Sequence, residues 1–136
     1  MQYLFMCCFD EKRWNALPQS ERDNVIKDYG EFVQHAKATG NYLGGAKLQP
    51  SSVATTLRGR NGKAVVMDGP FAETKEQLGG LLVLEARDMN QAIQLMSQHP
   101  SIRMGGTWEV RPADHACLEY AKARSDRELQ TSAAAK

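Results

Sequence analysis

Two short runs of this 136-residue chain are apolar on both of the faces that a β-strand presents, and nothing else in the sequence constrains the fold as tightly. The first is Gln2-Tyr3-Leu4-Phe5-Met6-Cys7-Cys8-Phe9 and the second is Leu81-Leu82-Val83-Leu84. Successive side chains along a strand point to opposite sides, so a strand apolar on both sides belongs inside a sheet covered on both sides. The length allows one core, and is too short for two ordinary domains.

The segments around these runs supply the rest of the pattern. After Leu17-Pro18, Ser20 is placed to cap a helix with Asp23 in its first turn, and Val25, Tyr29, Phe32, Val33 and Ala36 form one apolar stripe that stops at Gly40. Residues 42–48 read as a strand interrupted by Gly44-Gly45, and residues 53–57 and 63–68 flank Gly59-Arg60-Asn61-Gly62, a hairpin turn signal. Asp88 can cap a second helix with the stripe Met89, Ala92, Ile93 and Met96, stopped at His99-Pro100. Residues 105–111 close the series as an edge strand, with Trp108 and Val110 on one face and Glu109 and Arg111 on the other. The order strand, helix, strand, hairpin, strand, helix, strand is an α+β, ferredoxin-like split βαβ arrangement with an inserted hairpin. Its antiparallel sheet would carry two helices on one face. The other face needs cover, and a second copy packing sheet to sheet is the simplest source, so a homodimer is expected. The domain is expected to span residues 1–112. Residues 113–136 would form a polar, helix-prone extension ending in a frayed tail.

Composition excludes several functions. Seventeen basic side chains against sixteen acidic ones leave almost no net charge, and Arg58, Arg60 and Lys63 are too few for a nucleic-acid footprint. The apolar start lacks a basic leader and a small-residue cleavage site, and Asp10-Glu11-Lys12-Arg13 follows at once, so no signal peptide or membrane span is expected and the protein reads as cytoplasmic. Of the three cysteines, Cys7 and Cys8 point to opposite faces and Cys117 lies in the extension, the pattern of reduced thiols rather than of disulfides or a zinc site. His35 lies beside the first helical stripe, His99 ends the second helix and His115 is in the extension. None has a partner legible in the sequence, and neither a metal nor a cofactor is expected. The Gly-Gly pairs starting at 44, 79 and 105 do not open helices, so they read as bulges or close backbone approaches rather than phosphate loops.

Chemistry, if present, belongs in Asp68-Gly69-Pro70-Phe71-Ala72-Glu73-Thr74-Lys75-Glu76-Gln77-Leu78-Gly79-Gly80, where a Gly-Pro turn re-aims a carboxylate at a strand end. Set at the mouth of a cleft between sheet and first helix, Asp68 would take a proton and Tyr29, opposite it, would donate a hydrogen bond to a developing oxyanion. Trp14 and Phe71 would supply apolar walls, while Glu73, Lys75 and Glu76 orient substrate charge or steady the loop. The plainer alternatives are that Asp68 accepts hydrogen bonds from its own turn, Tyr29 belongs to the core stripe, Trp14 plugs the core, and Lys75 forms a solvated ion pair with Glu73 or Glu76.

The same run, with Leu43-Gly44-Gly45, Leu48-Gln49-Pro50 and Glu109-Val110-Arg111-Pro112, resembles the DGPF branch of the YCII-related family over residues 1–112. The resemblance implies a ferredoxin-like fold assembled as a dimeric α/β barrel. It also implies kinship with a few enzymes of small-molecule breakdown and an association of DGPF proteins with extracytoplasmic-function sigma factors. A His with Asp dyad has been proposed in the wider family; Asp68 matches its aspartate, and Tyr29 stands where its histidine would be. The expected function is therefore binding of a small polar metabolite, with a lyase- or isomerase-type acid/base step through Asp68. The alternative is a non-catalytic sensor or partner module linked to such a sigma factor.

Overall fold

A computed structural model describes residues 1–116 and 119. The first apolar run forms β1 (Gln2–Phe9), as its composition requires. Asp10 then caps a helix: its carboxylate accepts from the backbone N–H groups of Lys12 (3.0 Å) and Arg13 (3.2 Å), so the charged run becomes the start of α1 (Glu11–Ala16). Pro18 separates α1 from α2 (Gln19–Ala38) and is itself the residue before the first turn, with no side-chain cap. The expected cap at Ser20 is thus corrected, because a proline just before the helix fixes the entry of the chain and leaves Ser20 inside it. Helix α2 ends at Thr39 and Gly40, whose φ of 74° suits glycine.

After β2 (Tyr42–Lys47), a 3-10 turn at Ser51–Val53 leads to β3 (Thr55–Arg60), so this strand begins two residues later than the pattern suggests. Glu11 holds the turn, accepting from Ser51 N (2.7 Å) and Ser51 Oγ (2.6 Å). Strand β4 (Lys63–Asp68) pairs with β3 through Asn61 and Gly62, both at positive φ as a tight two-residue hairpin turn demands. Strand β5 (Gln77–Glu85) carries the second apolar run. Asp88 caps α3 (Met89–Met96) by accepting from Gln91 N (2.8 Å). The chain then turns through His99 into α4 (Pro100–Arg103) and finishes in β6 (Thr107–Pro112). Four helices, α1 to α4, therefore precede β6, where two were expected.

The main sheet is antiparallel in the order β2-β5-β1-β6, the ferredoxin-like order, and the two runs apolar on both faces are its central strands. Phe5 sits opposite Leu82 on one side and Val110 on the other, and Phe5, Leu82 and Leu84 are fully buried. Ala92 and Met96 of α3 close over them, with Tyr29, Phe32 and Trp108 packed at the margin. Each large side chain so buried contributes about 1.5–3 kcal/mol. Met89 and Ile93, expected on the same stripe, are exposed, because a helix of this length lays only its Ala92–Met96 line on the sheet.

The register slips between Cys7 and Cys8, where Gly79 is the extra residue, and again between Tyr42 and Gly44. Of the three Gly-Gly pairs, the one at 79 thus supplies the extra residue of a bulge and the one at 44 directly follows another, as expected. The β3–β4 hairpin forms a separate two-stranded sheet. No described helix is long and apolar enough to cross a membrane. Most of the expected extension over residues 113–136 lies outside the described residues.

Candidate functional site

A cavity of about 400 Å³ opens where α1 and the first half of α2 lean over the bulged end of the main sheet. Its walls are largely apolar and aromatic, led by Phe9, Trp14, Val25, Leu81 and Trp108. Phe9 reaches it because of the bulge: a Cβ on Gly79 would stand 1.7 Å from Phe9 Cε1, so only glycine lets the ring lie there. Phe9 and Trp14 meet edge to face at 6.4 Å, and Lys47 Nζ lies 5.5 Å from the centre of the Trp14 ring. Arg13 also lines the cavity, and among the described residues neither it nor Lys47 has an ion-pair partner.

The innermost polar group is His99, only 6 % exposed. Its ring is enclosed by Tyr29, Phe32 and Trp108, at centroid distances of 5.5, 5.0 and 4.7 Å. Nδ1 accepts from the backbone N–H of Ser101 (3.2 Å) and lies 2.8 Å from Ser101 Oγ, which in turn accepts from Trp108 Nε1–H (2.8 Å). With the indole proton on Ser101 Oγ, the hydroxyl is free to donate to Nδ1, and both contacts make that nitrogen an acceptor. The imidazole proton is thereby assigned to Nε2, which has no hydrogen-bond partner among the described residues. Burial pushes the His99 pKa down to about 4, so the ring is neutral near pH 7.

Glycine again sets the geometry. A Cβ on Gly106 would come within 2.8 Å of the Ser101 carbonyl oxygen and 3.0 Å of its Oγ, and Gly106 N–H donates to that carbonyl at 2.8 Å. Arg103 is paired with Asp28, tying α4 to α2. Tyr29 lines the same cavity, and its phenol is held above its usual pKa by burial first and Tyr42 second, leaving it protonated. Cys7 also faces the cavity, with its thiol raised to about 11 by burial and then by Cys8, which makes it an apolar wall rather than a nucleophile.

Of the residues singled out in the sequence, Trp14, Tyr29 and Glu76 line the cavity. Asp68 does not: it is exposed at the end of β4 opposite Thr55, outside the cavity, and its carboxylate makes no hydrogen bond among the described residues, to its own turn or elsewhere. The expected placement across a cleft from Tyr29 is corrected for a single chain, because the hairpin forms its own sheet and carries Asp68 away. Phe71 is 78 % exposed, and Glu73 and Lys75 are also on the surface. No ion pair joins Lys75 to Glu73 or Glu76 among the described residues; Glu76 instead accepts from Thr107 Oγ1 at 3.2 Å.

His99, Ser101, Trp108, Arg13 and Lys47 are the cavity residues that sequence reasoning missed. The expectation that no histidine has a partner is corrected for His99, whose partners come from α2, α4 and β6. The signal available was His99-Pro100-Ser101: proline at the first position of a helix marks the residue before it as a cap.

Comparison with known protein families matches the YCII-related domain over residues 1–115. The chain belongs to the YCII-related family. An uncharacterized protein of Rhizobium meliloti (strain 1021) is 35 % identical over 116 residues, covering 82 % of this chain and 91 % of that protein. Among solved structures, a 5-chloro-2-hydroxyhydroquinone dehydrochlorinase from Burkholderia phenoliruptrix AC1100, in complex with 2,5-dihydroxybenzoquinone, is similar with a TM-score of 0.47 and 16 % identity. The match covers 84 % of this chain and 94 % of that one. In this YCII-related chain the helix position that the resemblance gives to a histidine holds Tyr29, and an imidazole from the α3–α4 corner stands beside it.

Proposed function

We propose that the cleft binds a small metabolite with a flat apolar body and an oxygen-bearing polar end, and promotes a proton-transfer step of the lyase or isomerase type. The observation that carries this reading is the neutral imidazole of His99, locked in one tautomer by Ser101 inside an apolar cavity. A neutral N–H in a dry site is a preorganised donor to developing negative charge on oxygen. The Tyr29 phenol adds a second donor from α2. Arg13 and Lys47 supply positive charge at the rim for an acidic ligand, and the Phe9 and Trp14 rings supply a stacking surface. Glu76, held by Thr107, is the proposed proton acceptor, since Asp68 of the same chain stands outside the cavity. We further propose that the working form is a cytoplasmic homodimer joined through the outer face of the main sheet.

A thermal-shift screen with small aromatic acids and enolisable keto acids tests the binding reading, because a ligand of the native state raises Tm by mass action. The expected result is a shift for at least one class, diminished in Arg13→Gln and His99→Gln. A shift of equal size in both variants would remove the cleft from the binding site. For a ligand so found that is also turned over, Glu76→Gln is expected to retain the shift and lose turnover by about 10²–10⁴-fold, the usual worth of a general base.

A further inference from the structure

We infer that the β3–β4 hairpin is an arm that packs on a second copy of this chain, its apolar face lying on the outer side of the partner's main sheet. The hairpin has no core of its own. Every residue of β3 except Thr56 and every residue of β4 is exposed, and a lone two-stranded ribbon is marginally stable in water. Its two sides differ. The register puts Leu57, Gly59, Ala64 and Val66 on one side, with Thr55 and Asp68 at its far end, and Arg58, Arg60 and Lys63 with Val65 and Met67 on the other. Leu57 and Val66 face each other across the ribbon and are 66 % and 63 % exposed, against 37 % for Val65 and 38 % for Met67. Among the described residues the apolar side therefore has nothing over it. The small residues Gly59 and Ala64, paired beside it, permit close approach of another backbone.

The same chain carries a matching surface. Leu4, Met6 and Val83 lie on the side of the main sheet away from the buried Phe5, Leu82 and Leu84, and are only half-buried. On this side Glu109 is paired with Arg111, the two standing opposite Met6 and Leu4. The charged side of the ribbon, with Arg58, Arg60 and Lys63, faces away from this contact. One molecule thus has two apolar surfaces that lack full cover, one on the ribbon and one on the sheet. In a twofold dimer each part meets the other twice, which closes the assembly. Strands of six residues span about 20 Å. Two such ribbons on two sheet faces cover roughly 800 Å², about half of a standard interface, so the arms reinforce direct contact between the outer faces. The arm rests on the proposed homodimer but is separable from it.

Sedimentation equilibrium at micromolar concentration, with Leu57→Lys/Val66→Lys beside the native chain, tests the arm. The native chain is expected at twice 15.1 kDa, and the variant to dissociate at least about 100-fold more readily while keeping its far-UV circular dichroism. A photo-crosslinking side chain in place of Val66, in a mixture of isotopically light and heavy chains, is expected to join peptides of β1, β5 or β6 from the other copy. A dimer unaffected by the double substitution, or cross-links confined to one chain, would overturn the arm and leave the sheet-to-sheet dimer standing. A native monomer would overturn both; were that monomer to bind phosphatidylserine vesicles through Leu57 and Val66, the ribbon would be a membrane contact instead.

Discussion

At the scale of single residues, His99 links stability to the chemistry of the cleft. Its folded pKa, about 4, lies below the ordinary histidine value of about 6.5. Above pH 6.5 the ring is neutral whether the chain is folded or not, and contributes no pH dependence. Between pH 6.5 and 4 the unfolded chain takes up a proton that the folded one refuses, so stability falls with pH, by on the order of 3 kcal/mol in all. Urea unfolding of His99→Gln is therefore expected to show a shallower acid loss over that window than the native chain; identical slopes would mean that His99 is not held neutral. Gly106→Ala should press on the Ser101 carbonyl, destabilise the chain by about 1–3 kcal/mol as overpacking does, and disturb the Trp108 fluorescence that reports the indole–hydroxyl bond. At position 99 the neighbours Pro100 and Ser101 signalled the cap but not the burial. Burial of the ring is made by Tyr29 and Phe32 from α2 and Trp108 from β6, and contacts between distant elements leave no local pattern.

Among the elements, what periodicity and turn chemistry control could be read directly. The strand at β1, the Asn61-Gly62 turn and the Asp88 cap follow from alternation, positive φ and a carboxylate before a helix, each a local rule. The break at Leu17-Pro18 was legible too, but the Asp10 cap that makes α1 a helix was not, since Asp10-Glu11-Lys12-Arg13 reads equally well as a solvated loop. That distinction matters for the site, because α1 brings Arg13 and Trp14 to the cavity. The bulge at Gly79 does the same for Phe9. Gly79→Ala is expected to push the Phe9 ring from its place, cost about 1–3 kcal/mol, and weaken any ligand that stacks there. A chemical-denaturation midpoint measures the first effect and the ligand-induced shift in Tm the second. Unchanged values for both would show that the ring has room to move aside.

For the molecule as a whole, the described chain divides into a four-stranded sheet with a closed core and a ribbon without one, and this division predicts an uneven distribution of local stability. Amides at the centre of β1 and β5 are bonded on both sides of their strands and lie against Phe5, Leu82 and Leu84. They should exchange with solvent only by global opening. Amides that pair β3 with β4 are covered by no further layer, so in dilute solution, where any dimer dissociates, they should exchange on the order of 100-fold faster or more. If the ribbon packs on a second copy, its protection must rise with protein concentration, whereas protection at the centre of β1 rises only as far as the global stability does. Hydrogen-exchange mass spectrometry at two concentrations, on peptides covering residues 55–68 and 2–9, separates the two behaviours. Protection of the ribbon that is high and independent of concentration would mean that its apolar side is covered within one chain, whereas among the described residues nothing covers Leu57 and Val66.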